Sequence, residues 1–313
     1  MFILRGIAVS LAFFVSLYCV LSLAVACAWK GATFVRNASP RSYANLLFTL
    51  RVFPLVASAF IVLAFAVPSF LWLEPRSVDE DLGVVPVVLG IGCLLLFADG
   101  GFRVMTAQAR TSRVISNWLR GANTVDVGAS APTFQSNTNI PPLTLAGVCK
   151  PKLLVSEFTM AVLDQDELHI AVKHEVAHMR SLDNLKKLLF RFSLFPGMAK
   201  LEHAWQEAAE IAADDAAVSS FREALDLAAA LIKLSRLVPM QTAPVITMGL
   251  VQCTGSVSAR VARLLAWEEP RVTRARTSWW YAAPALAGAI LSAAATYSTA
   301  LAQMHRVTEW LVR

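Results

Sequence analysis

Charge is scarce in this chain. Asp, Glu, Lys and Arg make up 16% of its 313 residues, against about 25% in an ordinary soluble domain. A molecule wrapped entirely in a water-facing surface is therefore excluded. Cysteine is sparse as well: Cys19, Cys27, Cys93, Cys149 and Cys253 stand alone, and no C-x-x-C occurs. That argues against a disulfide framework and against a thiolate metal site. The four tyrosines, Tyr18, Tyr43, Tyr281 and Tyr297, all lie in or beside apolar runs, so none is placed to assist chemistry in a polar domain. Internal repeats and low-complexity tracts are missing. The formal charge of +6 comes from basic residues spread by loop rather than gathered into one patch, and no direct nucleic-acid partner is expected.

Apolar residues are in excess, at 56%, with a mean hydropathy of +0.55. Residues 7–29, 52–73 and 277–304 carry no charge, and 82–98 is a shorter uncharged run. A helix needs roughly 20 apolar residues to cross a bilayer. Four transmembrane helices are thus predicted, at about 7–29, 52–73, 82–100 and 277–304, with the lipid bilayer as a partner. Pro54, Pro68, Pro86 and Pro284 fit this reading, because spanning helices tolerate proline where neighbours re-satisfy the freed carbonyls. The first run has a second reading, since "LAVAC" before Ala28 looks like the cleavage site of a signal peptide over 1–26. However, the run is longer than a signal core, and Lys30 and Arg36 follow it as a stop-transfer pattern would.

Lys30, Arg36, Arg41 and Arg51 fill the first loop, and Glu74, Asp79, Glu80 and Asp81 dominate the second. Arg103, Arg110, Arg113 and Arg120 follow the third span, and Arg271, Arg274 and Arg276 precede the fourth. Positive loops stay in the cytoplasm. The N-terminus is then outside and the segment 104–276 is a cytoplasmic domain, between a three-span region (1–103) and a fourth span with a short tail (277–313). Arg5, Arg306 and Arg313 dissent. Asp99 reads as an interfacial residue, Trp279 and Trp280 as an interface belt, and Cys149 as a small buried group.

Residues 121–151 are rich in turn formers, with strands predicted at "TVDV" (124–127), "LTLAGV" (143–148) and "KLLVS" (152–156). From 157 to 267 the pattern turns helical. Asp164 and Glu167 form a capping box that opens a helix near Gln165. On it Leu168, Val172, Val176 and Met179 make one apolar stripe, His169, Lys173 and Arg180 a solvated flank, and His174 and His178 a separate face. The segment 186–198 is apolar but broken by Arg191, and reads as a helix end or a membrane-touching hairpin. Further helices are predicted at about 201–219, 221–237 and 256–268.

The chemistry centres on "HEVAHMRSLDN" (174–184). Histidines at i and i+4 stack on one helix face, so His174 and His178 can chelate one ion. Glu175, rotated by roughly 100°, cannot easily join them but can reach a water on that ion. Without a third ligand the pair is only two histidines on an ordinary helix. "EIAAD" supplies it, with Glu210 as ligand and Asp214 one turn on to fix an imidazole tautomer. Ala208, Ala209, Ala212 and Ala213 let this helix approach the first. Glu207 is a rival ligand but has no acid four residues on. A solvated acidic face is the alternative. His203 is two turns from Glu210, too far to ligate, and is a possible transition-state stabiliser.

These motifs resemble the gluzincin-type metallopeptidases. More closely, the chain resembles the BlaR/MecR-type membrane metallopeptidases, on "GVCKPKLLVS" (147–156), "HEVAHMRSLDN", "EIAADDAAV" (210–218) and "VSARVARLL" (257–265). The resemblance implies a mainly α protein: four transmembrane helices, with a cytoplasmic α+β zinc domain between the third and fourth. It implies one zinc ion on His174, His178 and Glu210, Glu175 as general base, and Asp183 and Asp214 as groups behind the ligands. It also implies a bacterial cytoplasmic-membrane location and a regulatory endopeptidase whose substrate is a cytoplasmic protein such as a transcriptional repressor. A strand at 124–128 or 143–148 would bind substrate by edge pairing, and a homodimer is possible. No penicillin-binding sensor follows the fourth span, so β-lactam sensing is not expected to transfer. The runner-up, an HtpX-type or CAAX-type quality-control protease, places spanning helices between motif and glutamate, where this chain has only residues 179–209. A reading of another class is a non-catalytic membrane signalling protein with a structural zinc site.

Overall fold

The computed structural model describes residues 2–29, 39–75, 83–128, 131–136, 141–148, 150–236, 247–249, 257–268 and 296–308. The chain is mainly helical and falls into two compact units. One contains Met1–Val25, Phe53–Asp99 and Arg271–Arg313, and the other Ala26–Val52 and Gly100–Pro270.

Long apolar helices open the chain. Helix α1 runs Phe2–Ala28 and α2 runs Pro40–Ile61, continuing through a π-helical turn, Val62–Ala66, into α3, Val67–Leu73. Helix α4 runs Val84–Trp118. Three stretches, Phe2–Ala28, Pro40–Leu73 and Val84–Trp118, are long and apolar enough to cross a membrane. Their outer faces carry Ile3, Leu63, Trp72 and Leu95, each more than 60% exposed. Water would penalise such a surface; lipid would not. Of the fourth predicted span, residues 277–295 lie outside the described residues, and 296–304 are helical, in a helix that continues to 308.

Proline dictates the local geometry of the second stretch. Pro68 has no N–H to give the carbonyl four residues back, that of Ala64. Here the helix widens into the π turn, with Val67 N–H bonded to Val62 O. Tyr297 donates its hydroxyl to Ala64 O at 2.7 Å, satisfying the carbonyl that proline frees. Arg5, which dissents from the charge-derived topology, is no bare cation: it pairs with Glu74 at 3.1 Å with both side chains buried.

Two helices overrun the predicted spans. Ser39 caps α2 by accepting from Ser42 N, and Pro40 takes the first helical position, where no N–H is needed. Arg41 and Arg51, read as loop residues, are therefore helical. Arg51 is 2% exposed and donates to Glu202 at 2.8 Å and to Ser193 O at 2.7 Å. Helix α4 meets no proline after residue 100 and runs 18 residues further, so Arg103, Arg110 and Arg113 sit on a helix rather than in a loop. Gly100 lets α4 lie against Phe192, whose backbone oxygen a Cβ at this position would strike.

The second unit pairs a five-stranded sheet with helices. Strands β1 (Asn123–Thr124), β2 (Thr133–Ser136), β3 (Leu143–Ala146), β4 (Lys152–Ser156) and β5 (Thr247–Gly249) lie in the order β1-β2-β4-β3-β5. Only β2 and β4 are parallel, with Thr133 opposite Leu153. β1 stops short of the predicted 124–127 because the Asp126 carboxylate accepts from Gly128 N at 2.9 Å, closing an Asx turn. β3 ends at Gly147, whose φ of 98° favours glycine. β2 and β5 carry too few residues to show alternation, and neither was predicted.

The helices are α5 (Glu157–Val162), α6 (Gln165–Arg180), α7 (Asp183–Phe192), α8 (Ala199–Ala217), α9 (Phe221–Ser235) and α10 (Val257–Leu265). The capping box opens α6 as predicted: Glu167 N–H donates to Asp164 and Asp164 N–H to Glu167, at 2.8 and 3.0 Å. The segment 186–198 resolves into α7 and a turn through Gly197. Leu143, Leu153 and Val155 of the sheet join Ile170, Ala171 and Val172 of α6, Leu227 and Leu231 of α9 and Leu264 of α10 in one core. α6 is thus central rather than half-solvated. Ile170 and Ala171 are buried as deeply as Val172, while the predicted stripe residues Leu168 and Val176 are only partly covered.

Candidate metal centre

α6 presents His174 and His178 one turn apart, and both are 0% exposed. α8 crosses α6 on an alanine face, with Ala208, Ala209, Ala212 and Ala213 all buried. Small side chains permit the close approach that brings Glu210 to the pair. His174 Nε2 lies 3.1 Å from His178 Nε2. Each Nε2 is 3.6 Å from an oxygen of Glu210. The three residues converge tightly enough to hold a metal ion.

The far side of each imidazole explains why these nitrogens face inward. His178 Nδ1 is 2.8 Å from Asp183 Oδ2, and His174 Nδ1 is 2.9 Å from Asp214 Oδ1, an approach off the ideal hydrogen-bond line. Carboxylates at Nδ1 favour the proton there and leave the Nε2 lone pairs for the interior. Once both Nε2 atoms are unprotonated, two lone pairs and a carboxylate face one another in a buried space, and a cation satisfies all three. Asp183 reaches His178 because Leu182 turns the chain with a φ of 56°, a strained value for leucine, so that only Ser181 and Leu182 separate the two helices.

Electrostatics follow from burial and from a residue the motifs had not singled out. Arg260, 2% exposed on α10, donates to both oxygens of Asp214 at 2.8 and 2.7 Å and to Glu210 Oε2 at 2.9 Å. Burial alone would raise the Glu210 carboxyl; Arg260 and the two histidines outweigh it and hold it at about 2. Burial likewise opposes Asp214, yet Arg260 and His174 keep it well below the usual carboxylate range. Asp183 is also lowered: burial raises it, and His178 and Lys186 more than offset this. For His174, burial lowers basicity, but bonds to Asp214 and Glu210 lift it to about 9. Burial pushes Glu175 up to about 8; His174 opposes this, and the Glu210 charge adds to it.

Glu175 sits beside the cluster. Its Oε2 accepts from Leu145 N–H of β3 at 3.2 Å, and its Oε1 is buried without a partner. Asn184 holds the same strand, donating to Leu145 O at 3.3 Å and Gly147 O at 2.9 Å. The chain matches no family model, and no curated protein matches it.

His174, Glu175, His178, Asp183, Glu210 and Asp214 are brought together. His203 is not: its side chain is 69% exposed and faces Glu207 at 3.6 Å. The rival Glu207 is itself half exposed, outside the cluster. Edge pairing along 143–148 also meets a correction. Over Thr144–Ala146, β4 takes one side of β3 and β5 the other, so β3 has no open edge there. Arg260 left one signal in the sequence: it stands on the apolar side of its helix, three residues after Val257 and four before Leu264. A guanidinium at such a position needs buried acids.

Proposed function

We propose that the chain is a membrane-embedded, zinc-dependent endopeptidase that cleaves a cytoplasmic protein, in a regulatory role such as removal of a transcriptional repressor. One observation carries the reading: donor separations of 3.1, 3.6 and 3.6 Å among His174, His178 and Glu210. Four ligands at about 2.0–2.2 Å around zinc define a tetrahedron with edges of about 3.3–3.6 Å. Three protein ligands leave the fourth corner for substrate or water, as in catalytic sites.

Bound there, zinc would supply Lewis acidity, polarising a carbonyl and acidifying a water. The chain's own groups do the rest. Glu175, with Oε1 unpartnered, takes a proton from the attacking water as its oxygen bonds to the amide carbon. The same carboxyl returns that proton to the leaving nitrogen as the C–N bond breaks. A cation in the neighbouring cluster favours the ionised form of Glu175 that this base role requires. Arg260 fixes the Glu210 carboxylate, and Asp183 and Asp214 fix the imidazoles.

Full burial of His174, Glu175 and His178 favours a second reading, a closed structural site. Glu175→Ala separates the two. The peptidase reading expects unchanged zinc content by atomic absorption, with cleavage of a casein probe reduced roughly 10²–10⁴-fold. Equal cleavage by the variant removes Glu175 as base, and zinc bound with no cleavage by either protein favours the structural site. Trapping a substrate on the Glu175→Ala protein in cells, read by mass spectrometry, distinguishes one regulatory target from the many of a quality-control protease.

A further inference from the structure

On the side of α6 away from its histidine pair lies a second, solvent-open cavity of about 630 Å³, within the range of small-molecule sites. Its walls come from the start of α2, from α6 and from α8. The floor is apolar, made by Val172, Val176, Ala212 and Ala216. Among the described residues, four basic side chains line it, Arg41, His169, Lys173 and Arg180, against the single acid Asp215.

The ion pairs sort these charges. Arg263 meets both oxygens of Asp215, and Lys173 binds Glu223 at 2.7 Å. Arg41 and Arg180 have no carboxylate partner among the described residues. Arg41 donates to the Ser181 hydroxyl, next in the chain to Arg180, and both arginines line the cavity. Two guanidinium groups lining one apolar trough favour an anion that answers both. Their planar donor forks match the oxygens of a phosphate, and its two charges answer both, where one carboxylate answers only one. Among the described residues no Phe, Tyr or Trp lines the trough.

We infer that this cavity binds a phosphate ester, with the phosphate on Arg41 and Arg180 and an apolar body along Val172, Val176, Ala212 and Ala216. The inference does not rest on the peptidase reading. The same chemistry is offered by a soluble ester and by an anionic lipid headgroup.

Phenyl phosphate and inorganic phosphate serve as probes, titrated calorimetrically into the full chain in a neutral detergent. Saturable binding of phenyl phosphate is expected, tighter than that of inorganic phosphate. The Arg41→Ala/Arg180→Ala double variant should weaken it at least tenfold. Arg222→Ala should not, since that residue is exposed and paired with Asp166. The Arg41→Lys/Arg180→Lys pair keeps the charge and should retain part of the affinity, and unchanged circular dichroism reports that the variants are folded. Repeating the titration in nanodiscs tells the sources apart. Loss of the phenyl phosphate signal in phosphatidylglycerol discs but not in phosphatidylcholine discs assigns the site to lipid, and equal binding in both assigns it to a soluble ester. No saturable binding by the unaltered chain, or equal binding by the Ala double variant, overturns the inference.

Discussion

Arg260 is the residue on which the centre's charge balance turns. It donates three hydrogen bonds to two buried carboxylates. Each of those carboxylates contacts His174 on another side. Removing one partner from a buried ion pair costs about 3–5 kcal/mol, because the other is left uncompensated. Arg260→Met is expected to destabilise the metal-free protein by that order in denaturant unfolding. It should also weaken metal uptake, since Glu210 loses its fixed position. Arg260→Lys should recover only part, as an ammonium cannot reproduce the bidentate contact with Asp214. Metal affinity and stability equal to the unaltered chain would show that Arg260 is dispensable.

At the scale of elements, two contacts decide how helices meet. Gly100 places α4 against the backbone of Phe192. Gly100→Ala is expected to cost about 1–3 kcal/mol through overpacking, although alanine is the better helix former. A gain in melting temperature would contradict the contact. Glu223 ties α9 to α6 through Lys173 and to the Ser219 amide and hydroxyl. Burial opposes its charge, but these partners together outweigh it and lower its pKa from 4.5 to about 2. A depressed carboxyl contributes stability that is complete above about 4.5 and is lost as pH falls towards 2. Glu223→Gln should flatten the melting-temperature profile in that window and leave it unchanged in slope above pH 5. An unaltered acid limb would rule out the anchor.

At the scale of the whole molecule, all three metal ligands belong to one of the two compact units. A ligand that binds only the folded state stabilises by about 4 kcal/mol at a thousandfold excess over its Kd. Calorimetry in detergent should therefore show a metal-dependent shift confined to the unit containing Gly100–Pro270, reversed by chelation and absent in His174→Ala. A shift that survives His174→Ala would place the metal elsewhere.

Local pattern carried much of this protein. Apolar run length marked three helices fit to cross a membrane, and the i, i+4 spacing of His174 and His178 marked their shared face. The Asp164–Glu167 box marked where α6 begins, and the Glu210–Asp214 spacing marked which acids face the histidines. Each is a short-range property, set by helix geometry within a turn or two. What lay beyond reach depended on segments distant in the chain. Arg260 finds acids 46 and 50 residues away. β5 pairs with β3 across about a hundred residues, and three residues cannot announce a strand by alternation. Arg51 looked like a loop cation because charge counting sees sign but not partners; Glu202 and Ser193, some 150 positions on, bury it. Periodicity fixes which face a side chain shares, and only packing fixes what stands opposite that face.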